Sequence, residues 1–216
     1  MPPARGRILY AVVGLLWATA VAIGVSRLWK YDGTAGAAAR APDAWPADTR
    51  IPRTAGLPTL VLLVHPHCPC SRATIDELAS LMTRCHGKLT TTVLMLRPGG
   101  MPEGWERTDL WESAAVIPGV TVASDVGGFE SRRFGAATSG QALLYAVDGR
   151  LLFAGGITGS RGHRGDNNGR AAVTALVLDS GQAAPAWAAV TPVYGCPLSN
   201  DASPCPKEGT PACPNR

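Results

Sequence analysis

The chain has 216 residues, a formal net charge of +4 spread thinly along it, and an aromatic content of 6%. This length allows one domain of ordinary size with additional segments, because single domains cluster near about 100–150 residues. The charge is too small and too dispersed for the basic patch of a nucleic-acid-binding protein, so we exclude nucleic acid as a partner.

The first predicted element is an apolar helix near the N-terminus. Residues 8–25 contain no charged side chain, and this run is about long enough to cross the ~30 Å hydrocarbon layer of a membrane. Arg5 and Arg7 precede it and favour an N-terminus in the cytoplasm, although Arg27 and Lys30 follow it and weaken this bias. We therefore predict a single-pass helix with the remainder of the chain outside the cytoplasm.

Retention of this helix as a membrane anchor, residues 1–30, is the favoured interpretation. A cleaved signal peptide is the alternative, because residues 34–41, TAGAAARA, offer small side chains to a peptidase. Residues 31–57 are rich in Ala, Pro, Gly and Arg without helical or strand periodicity, which predicts a flexible linker. Disulfides persist outside the cytoplasm, so the cysteines are expected to be redox-active or paired.

A strand, a helix and a second strand are predicted next. Residues 59–64, TLVLLV, form a short apolar run typical of a strand that is buried on both faces. Apolar side chains then recur with helical spacing over residues 75–85. Residues 90–98 are rich in Thr, Val and Leu and predict a strand that ends at a proline. This order suggests two parallel strands joined by a right-handed crossover.

The second half predicts a hairpin and a final helix. Residues 103–119 have weak helical character, and residues 120–125 are compatible with a short strand. Two apolar runs within residues 141–158 flank Asp148-Gly149, the pair preferred in two-residue type I′ hairpin turns. Residues 166–168, Asp-Asn-Asn, are candidate N-caps for the last helix.

The resulting α/β order, β-α-β-α-β-β-α with two cysteines in the first strand–helix turn, resembles the thioredoxin fold. The chain further resembles the membrane-tethered thioredoxin-like proteins of bacteria of the TlpA and ResA kind, and most of all the RedB group. Residues 65–74, 134–167 and 194–198 carry this resemblance, which extends over residues 58–198. It implies a redox thiol protein of the bacterial inner membrane whose periplasmic domain acts on protein thiols or disulfides.

The Cys-Pro-Cys turn, residues 68–70, is the predicted redox centre. Thiol exchange requires one thiolate nucleophile and a second thiol that resolves the mixed disulfide. N–H groups at a helix start stabilise a thiolate, and His65 and His67 could add positive charge if they are protonated. We predict Cys68 as the nucleophile and Cys70 as the resolving thiol, because the resemblance implies that the earlier, more exposed cysteine attacks.

Two features depart from the thioredoxin pattern. The usual motif is C-x-x-C, whereas only Pro69 separates the cysteines here, so a disulfide between them is expected to be strained and easily reduced. The family usually places a cis-proline before the hairpin, where this chain has Ser139 and Gly140. A non-proline cis bond costs about 2.5–4 kcal/mol, so we expect a trans loop with an altered substrate-binding backbone.

A metal site is the alternative to thiol exchange, which itself needs no cofactor. Cys68, Cys70 and His67 include the soft ligands that copper(I) or zinc prefers, so a copper-binding module stays open, as does a thioredoxin-fold domain without exchange activity. Further candidate ligands are His65, His163 and Cys196.

The remaining cysteines have separate predictions. Cys85 lies on the apolar face of the helix predicted over residues 75–85 and is expected to be a buried core thiol. Cys196 is either a third redox thiol that folds back to the Cys-Pro-Cys turn or the partner of Cys205 or Cys213 in a disulfide. The Pro-rich tail, residues 199–216, is predicted to be flexible and closed by a Cys205–Cys213 bridge.

A glycine-rich loop, residues 155–169, precedes the final helix. It lacks the Lys-Ser/Thr ending of a phosphate-binding loop, so a surface connection is the simple interpretation. Our hypothesis is that the loop lies near the Cys-Pro-Cys turn and that Arg161 or His163 influences the reactivity of the cysteines in that turn.

Overall fold

The protein is described by a computed structural model that covers residues 4–37, 40–179 and 190–198. The chain divides into two compact units, Met1–Thr34 and Ala35–Arg216. The tail predicted to contain a Cys205–Cys213 bridge lies outside the described residues. In chain order, the elements are α1 (Ala4–Asp32), β1 (Thr59–Val64), α2 (Ser71–Arg84), β2 (Thr90–Arg97), α3 (Asp109–Ala115), β3 (Val120–Val126), α4 (Phe129–Arg133), β4 (Gln141–Tyr145), β5 (Leu151–Gly156) and α5 (Asn168–Leu178).

Helix α1 contains the whole apolar run predicted at the N-terminus. Its Gly6–Asp32 part is long and apolar enough to cross a membrane, with a mean hydropathy of 2.3 in its most apolar window. Large apolar side chains such as Leu15 and Trp17 are exposed along it. A signal sequence near the N-terminus can meet the same criteria of length and composition, so the helix is compatible with either the anchor or the signal-peptide interpretation.

The second unit is built on one five-stranded sheet with the order β3-β2-β1-β4-β5. Strand β1 pairs in parallel with β2, and β2 pairs in parallel with β3. Strands β4 and β5 form the predicted antiparallel hairpin, and β4 pairs antiparallel with β1. The predicted α/β order is therefore confirmed, and the possible short strand at residues 120–125 is β3, a parallel strand at one edge.

The central strand β1 is buried on both faces, as its uninterrupted apolar sequence predicts. Leu60 and Leu62 belong to the core cluster that includes side chains of α2 and α5. Val61 and Leu63 belong to the cluster on the second face. Burying one such side chain contributes about 1.5–3 kcal/mol relative to leaving it exposed, so β1 fixes the start of the turn that follows it.

The prediction of a flexible linker is wrong for the part of residues 31–57 that packs on the second face of the sheet. The Trp45 ring lies edge-on to Phe134 and Tyr145, with centroid distances of 5.3 and 5.1 Å. The Tyr145 hydroxyl donates to the Pro42 carbonyl at 3.2 Å. A few large side chains bury this segment without any regular period, so periodicity could not reveal it.

The hairpin turn also differs from the predicted two-residue type. The Ala146 N–H donates to the Arg150 carbonyl at 2.8 Å, and the Gly149 N–H donates to the Ala146 carbonyl at 2.9 Å. Gly149 has a φ of 91°, in the left-handed region that glycine tolerates. These contacts define a three-residue loop in which a turn is followed by a glycine bulge.

Candidate redox site

The Cys-Pro-Cys turn connects the buried end of β1 to the first residue of α2. The Cys68 N–H donates to the His65 carbonyl at 3.0 Å, and the Ser71 N–H donates to the Cys68 carbonyl at 3.0 Å. Cys70 is the N-cap of α2 and already has helical backbone angles. Both cysteines are therefore held where the unpaired N–H groups of a helix start stabilise negative charge.

Exposure does not single out Cys68 as the resemblance implied. Cys68 is 1% exposed, whereas Cys70 is 9% exposed, so the earlier cysteine is the more buried one. A groove of about 170 Å³ reaches Cys68 between His67, Pro69 and the start of α3, with the Arg72–Asp109 ion pair at its wall. Access to the Cys68 sulfur is thus limited to one side.

Hydrogen-bond donors surround the Cys68 sulfur. Burial would raise the pKa of Cys68, but the Cys196 thiol and the Ser71 hydroxyl donate to its sulfur and lower that pKa. The backbone N–H groups of Cys196 and Cys70 donate as well, and the net effect is a pKa below the ordinary value. Cys68 is therefore the thiol of this site that ionises most readily.

The hydroxyls of two buried serines, Ser139 and Ser71, form a hydrogen-bond chain that leads to the Cys68 sulfur. The Ser139 Oγ accepts from the His65 N–H at 2.8 Å and lies 2.7 Å from the Ser71 Oγ. Because Ser71 gives its proton to Cys68, its oxygen accepts the proton of Ser139. The residue at the position of the missing proline therefore supports a chain of donors that ends at the nucleophile.

Cys196 reaches the turn on the C-terminal segment, residues 190–198. The Ser139 N–H donates to the Cys196 carbonyl at 2.8 Å. A Cβ on Gly195 would lie 1.9 Å from the Ser139 carbonyl oxygen, so only glycine permits this approach. No cis peptide bond occurs in the described residues, as expected for the loop before β4. The loop backbone, including Ser139 and Gly140, thus binds the protein's own chain.

Cys70 and Cys196 are stabilised as neutral thiols. Burial and the negative charge of Cys68 raise the pKa of Cys70, although the Arg161 guanidinium opposes this shift with a hydrogen bond and its charge. Burial, donation to Cys68 and nearby thiolate charge raise the pKa of Cys196 to about 12. The three thiols therefore have different roles: one ionises early and two retain their protons.

His65 is not the source of positive charge that the sequence allows at this turn. Burial, followed by the charge of His67, lowers the pKa of His65 below its ordinary value. Its Nδ1 accepts from the His67 N–H at 3.2 Å, and both rings lie against Trp105, with the His67 centroid at 4.4 Å. His163 is exposed, and Arg161 is the residue of the glycine-rich loop that contacts a cysteine.

A buried carboxylate that sequence reasoning missed holds the glycine-rich loop. Glu77 is 2% exposed on α2, accepts from the Gly165 N–H at 2.6 Å, and forms an ion pair with Arg170. Asn167 caps α5 by accepting from the Arg170 N–H at 2.8 Å. Glu77 lies between apolar positions of an amphipathic helix, and only its partners from the far loop make its burial favourable.

The copper alternative would use the two thiolates of the Cys-Pro-Cys turn together with a histidine. Within residues 4–37, 40–179 and 190–198, no group of three or more His, Cys, Asp or Glu side chains is arranged to hold a metal ion. Cys68, Cys70 and His67 stay the ligand set that the sequence predicts, and metal binding stays a hypothesis.

The strand order and the placement of the cysteine pair define the class: the chain has a thioredoxin-like fold. A hypothetical protein from Sinorhizobium meliloti shares it at 20% identity and a TM-score of 0.56, over 76% of this chain and 93% of that one. An uncharacterized conserved protein from Geobacillus kaustophilus gives 16% identity and a TM-score of 0.55, over 79% and 94% of the two chains.

A secreted disulfide oxidoreductase from Mycobacterium tuberculosis is a more distant match, with 14% identity and a TM-score of 0.41 over 58% of this chain and 83% of that one. No protein-family model and no curated protein matches the chain. At these identities the two stronger likenesses show a shared fold and leave the chemistry to the residues of the site.

Proposed function

We propose that this protein is a RedB-type thiol:disulfide oxidoreductase, anchored in the bacterial inner membrane by α1, whose domain exchanges protein thiols and disulfides in the periplasm. One observation carries the proposal: the buried Cys68 sulfur receives N–H and O–H donors that lower the pKa of its thiol. Donors of this kind favour a thiolate, which is the nucleophile in thiol exchange. They are not needed by an inert buried cysteine.

The exchange begins at Cys68. Its thiolate attacks one sulfur of a partner disulfide, forms a mixed disulfide, and releases the other partner sulfur as a thiolate that takes a proton from water. A second protein thiol then attacks the Cys68 sulfur, and the second partner sulfur leaves with the electron pair. Two electrons pass from the protein to the partner, and no cofactor takes part.

The groove beside Cys68 supports an extended polypeptide as the partner. It has a volume of about 170 Å³, and His67, Pro69 and Thr108 are among the residues that line it. The Thr108 hydroxyl donates to the Pro66 carbonyl at 3.2 Å and ties the residue before α3 to the turn. A flexible segment that carries a disulfide fits such an opening better than a folded surface does.

The test is a redox titration of the full-length chain in detergent with reduced and oxidised glutathione, with free thiols counted and copper assayed in the same sample. We expect a two-electron transition that disappears in Cys68→Ser and persists in Cys85→Ser, the matched control for loss of a buried thiol. Stoichiometric copper without such a transition would overturn the proposal and favour the copper-binding alternative.

A further inference from the structure

A third thiol stands beside the nucleophile and comes from the far end of the described chain. Cys196 donates to the Cys68 sulfur from both its thiol and its backbone N–H. We propose that Cys196, rather than Cys70, is the catalytic cysteine that resolves the mixed disulfide, so that the protein cycles through a Cys68–Cys196 disulfide. This inference rests on the proposed function, because it assigns a step of the same exchange reaction.

The segment that carries Cys196 is fixed by hydrogen bonds on both sides of it. The Arg161 Nη1 donates to the Gly195 carbonyl at 2.8 Å. On the other side, the Leu198 N–H donates to the Ala137 carbonyl at 2.9 Å. Leu198 is also buried in the core cluster on the second face of the sheet. Cys196 therefore stands at Cys68 as part of the folded structure.

The Cys70 thiol also contacts the Cys68 sulfur, but the loop between the two residues restricts a disulfide between them. A disulfide needs a specific dihedral angle and Cα separation, and the fixed φ of Pro69 restricts a one-residue loop. The Ser71 N–H bond to the Cys68 carbonyl, 3.0 Å long, starts the helix through the same residues. Closing a Cys68–Cys70 bond would distort this helix start, whereas Cys196 approaches from a separate segment.

The charge of Cys68 sets the order of the steps. Burial is the largest effect that raises the pKa of Cys196. The hydrogen bond that its thiol donates to Cys68 and the negative charge of the Cys68 thiolate raise this pKa further. When Cys68 forms a mixed disulfide, its sulfur loses its negative charge and becomes a weaker acceptor for the Cys196 thiol proton. The positive charge of Arg161 still favours a Cys196 thiolate. Cys196 therefore keeps its proton until Cys68 has reacted and then ionises more easily.

The step balances in atoms and electrons. Cys196 loses its thiol proton to water, and its sulfur attacks the Cys68 sulfur of the mixed disulfide. The Cys68–Cys196 bond forms, the bond from Cys68 to the partner sulfur breaks, and that partner sulfur leaves with the electron pair and is protonated. A dithiol reductant, such as the dithiothreitol of an assay, returns the protein disulfide to two thiols.

The test follows the reaction of the reduced full-length chain with oxidised glutathione, quenched with acid and read by mass spectrometry. Cys70→Ser, Cys196→Ser and the control Cys85→Ser are compared with the unaltered chain. Digestion with trypsin and an aspartate-specific protease, which cuts at Asp201, separates Cys196 from the cysteines of the tail.

We expect Cys70→Ser to form the Cys68–Cys196 disulfide within about threefold of the unaltered rate, and Cys196→Ser to hold a Cys68–glutathione adduct at least about tenfold longer. A circular dichroism spectrum and a thermal unfolding midpoint like those of the unaltered chain show that Cys196→Ser is folded. The inference is overturned if Cys196→Ser clears its adduct at the unaltered rate, if Cys70→Ser accumulates one, or if Cys196 pairs with Cys205 or Cys213.

A separate variant distinguishes failure of this inference from failure of the proposed function. In Cys68→Ser no glutathione adduct should form at the turn under the same conditions. If Cys68→Ser reacts as fast as the unaltered chain, thiol exchange at Cys68 is itself wrong. If Cys68→Ser is inert but Cys196→Ser resolves normally, the exchange function stands and only the role of Cys196 fails.

Discussion

Two buried thiols at the two ends of α2 differ in chemistry although both are removed from water. Cys68, two residues before the N-cap of α2, is 1% exposed, and Cys85, the C-cap, is 0% exposed. Burial raises the pKa of Cys85, and nearby positive charge only partly opposes it. At Cys68 burial acts in the same direction, but hydrogen-bond donors reverse it.

Burial alone therefore does not decide whether a cysteine is reactive. Cys85 packs in the apolar cluster on the first face of the sheet. Cys68 lies where a helix start, the Ser71 hydroxyl and the Cys196 segment meet. At Cys68 the donors outweigh the cost of burying a thiolate, whereas at Cys85 the nearby positive charge and the Thr174 hydroxyl do not.

Separate serine substitutions of Cys85 and Cys68 should give the largest effects that test this difference between the two thiols. Cys85→Ser places a hydroxyl in an apolar core and should lower the free energy of unfolding by about 1–3 kcal/mol while leaving glutathione exchange intact. Cys68→Ser should abolish exchange with a smaller loss of stability, because its hydroxyl can use the same donors. Urea unfolding under reducing conditions measures both, and equal losses would contradict the contrast.

Removing one donor should produce a smaller effect at Cys68 alone. Ser71→Ala deletes the hydroxyl that donates to the Cys68 sulfur, so the pKa of Cys68 should rise and its alkylation by iodoacetamide at neutral pH should slow severalfold. Ser80→Ala on the exposed face of α2 is the matched control and should change nothing. An unchanged alkylation rate in Ser71→Ala would show that Ser71 does not stabilise the thiolate.

The smallest expected effect is an opposite pH dependence of stability for the two thiols. Because the pKa of Cys68 lies below its ordinary value of 9.0 in the folded state, its contribution grows as the pH rises toward that value. The raised pKa of Cys85 gives a contribution that is full below 9.0 and is lost above it.

Unfolding of the reduced chain and its two serine variants, from about pH 6 to pH 10, measures these contributions as differences in free energy. The difference between the unaltered chain and Cys68→Ser should increase up to pH 9.0. The difference in free energy of unfolding between the unaltered chain and Cys85→Ser should decrease above pH 9.0. The same sign of slope for both variants would contradict the assignment.

Much of the sheet could be predicted because its strands are marked locally. β1 begins and ends where the apolar run does, and Asn167, one of three candidate N-caps, caps the last helix. The packing of residues 41–51 could not be predicted, since it depends on isolated side chains such as Trp45 that meet the sheet far away in sequence.

The candidate site could be predicted only in part for the same reason. The turn after β1 marks Cys68 and Cys70 as neighbours at a helix start. The Cys196 donors of Cys68 come from a distant segment, and the only sequence signal at Ser139 is the absence of the usual proline. The sequence allows a charged His65 if it is protonated, but burial lowers the pKa of His65, and this burial becomes apparent only in the folded chain.

The pH dependence of Cys68 alkylation in the reduced full-length chain is the most direct test of the central claim. Peptide fragmentation distinguishes Cys68 from Cys70, and Cys85 provides an internal buried control. We predict that the Cys68 midpoint lies below 9.0 and that Cys85 does not react while the protein is folded. A midpoint at or above 9.0 would contradict a stabilised Cys68 thiolate.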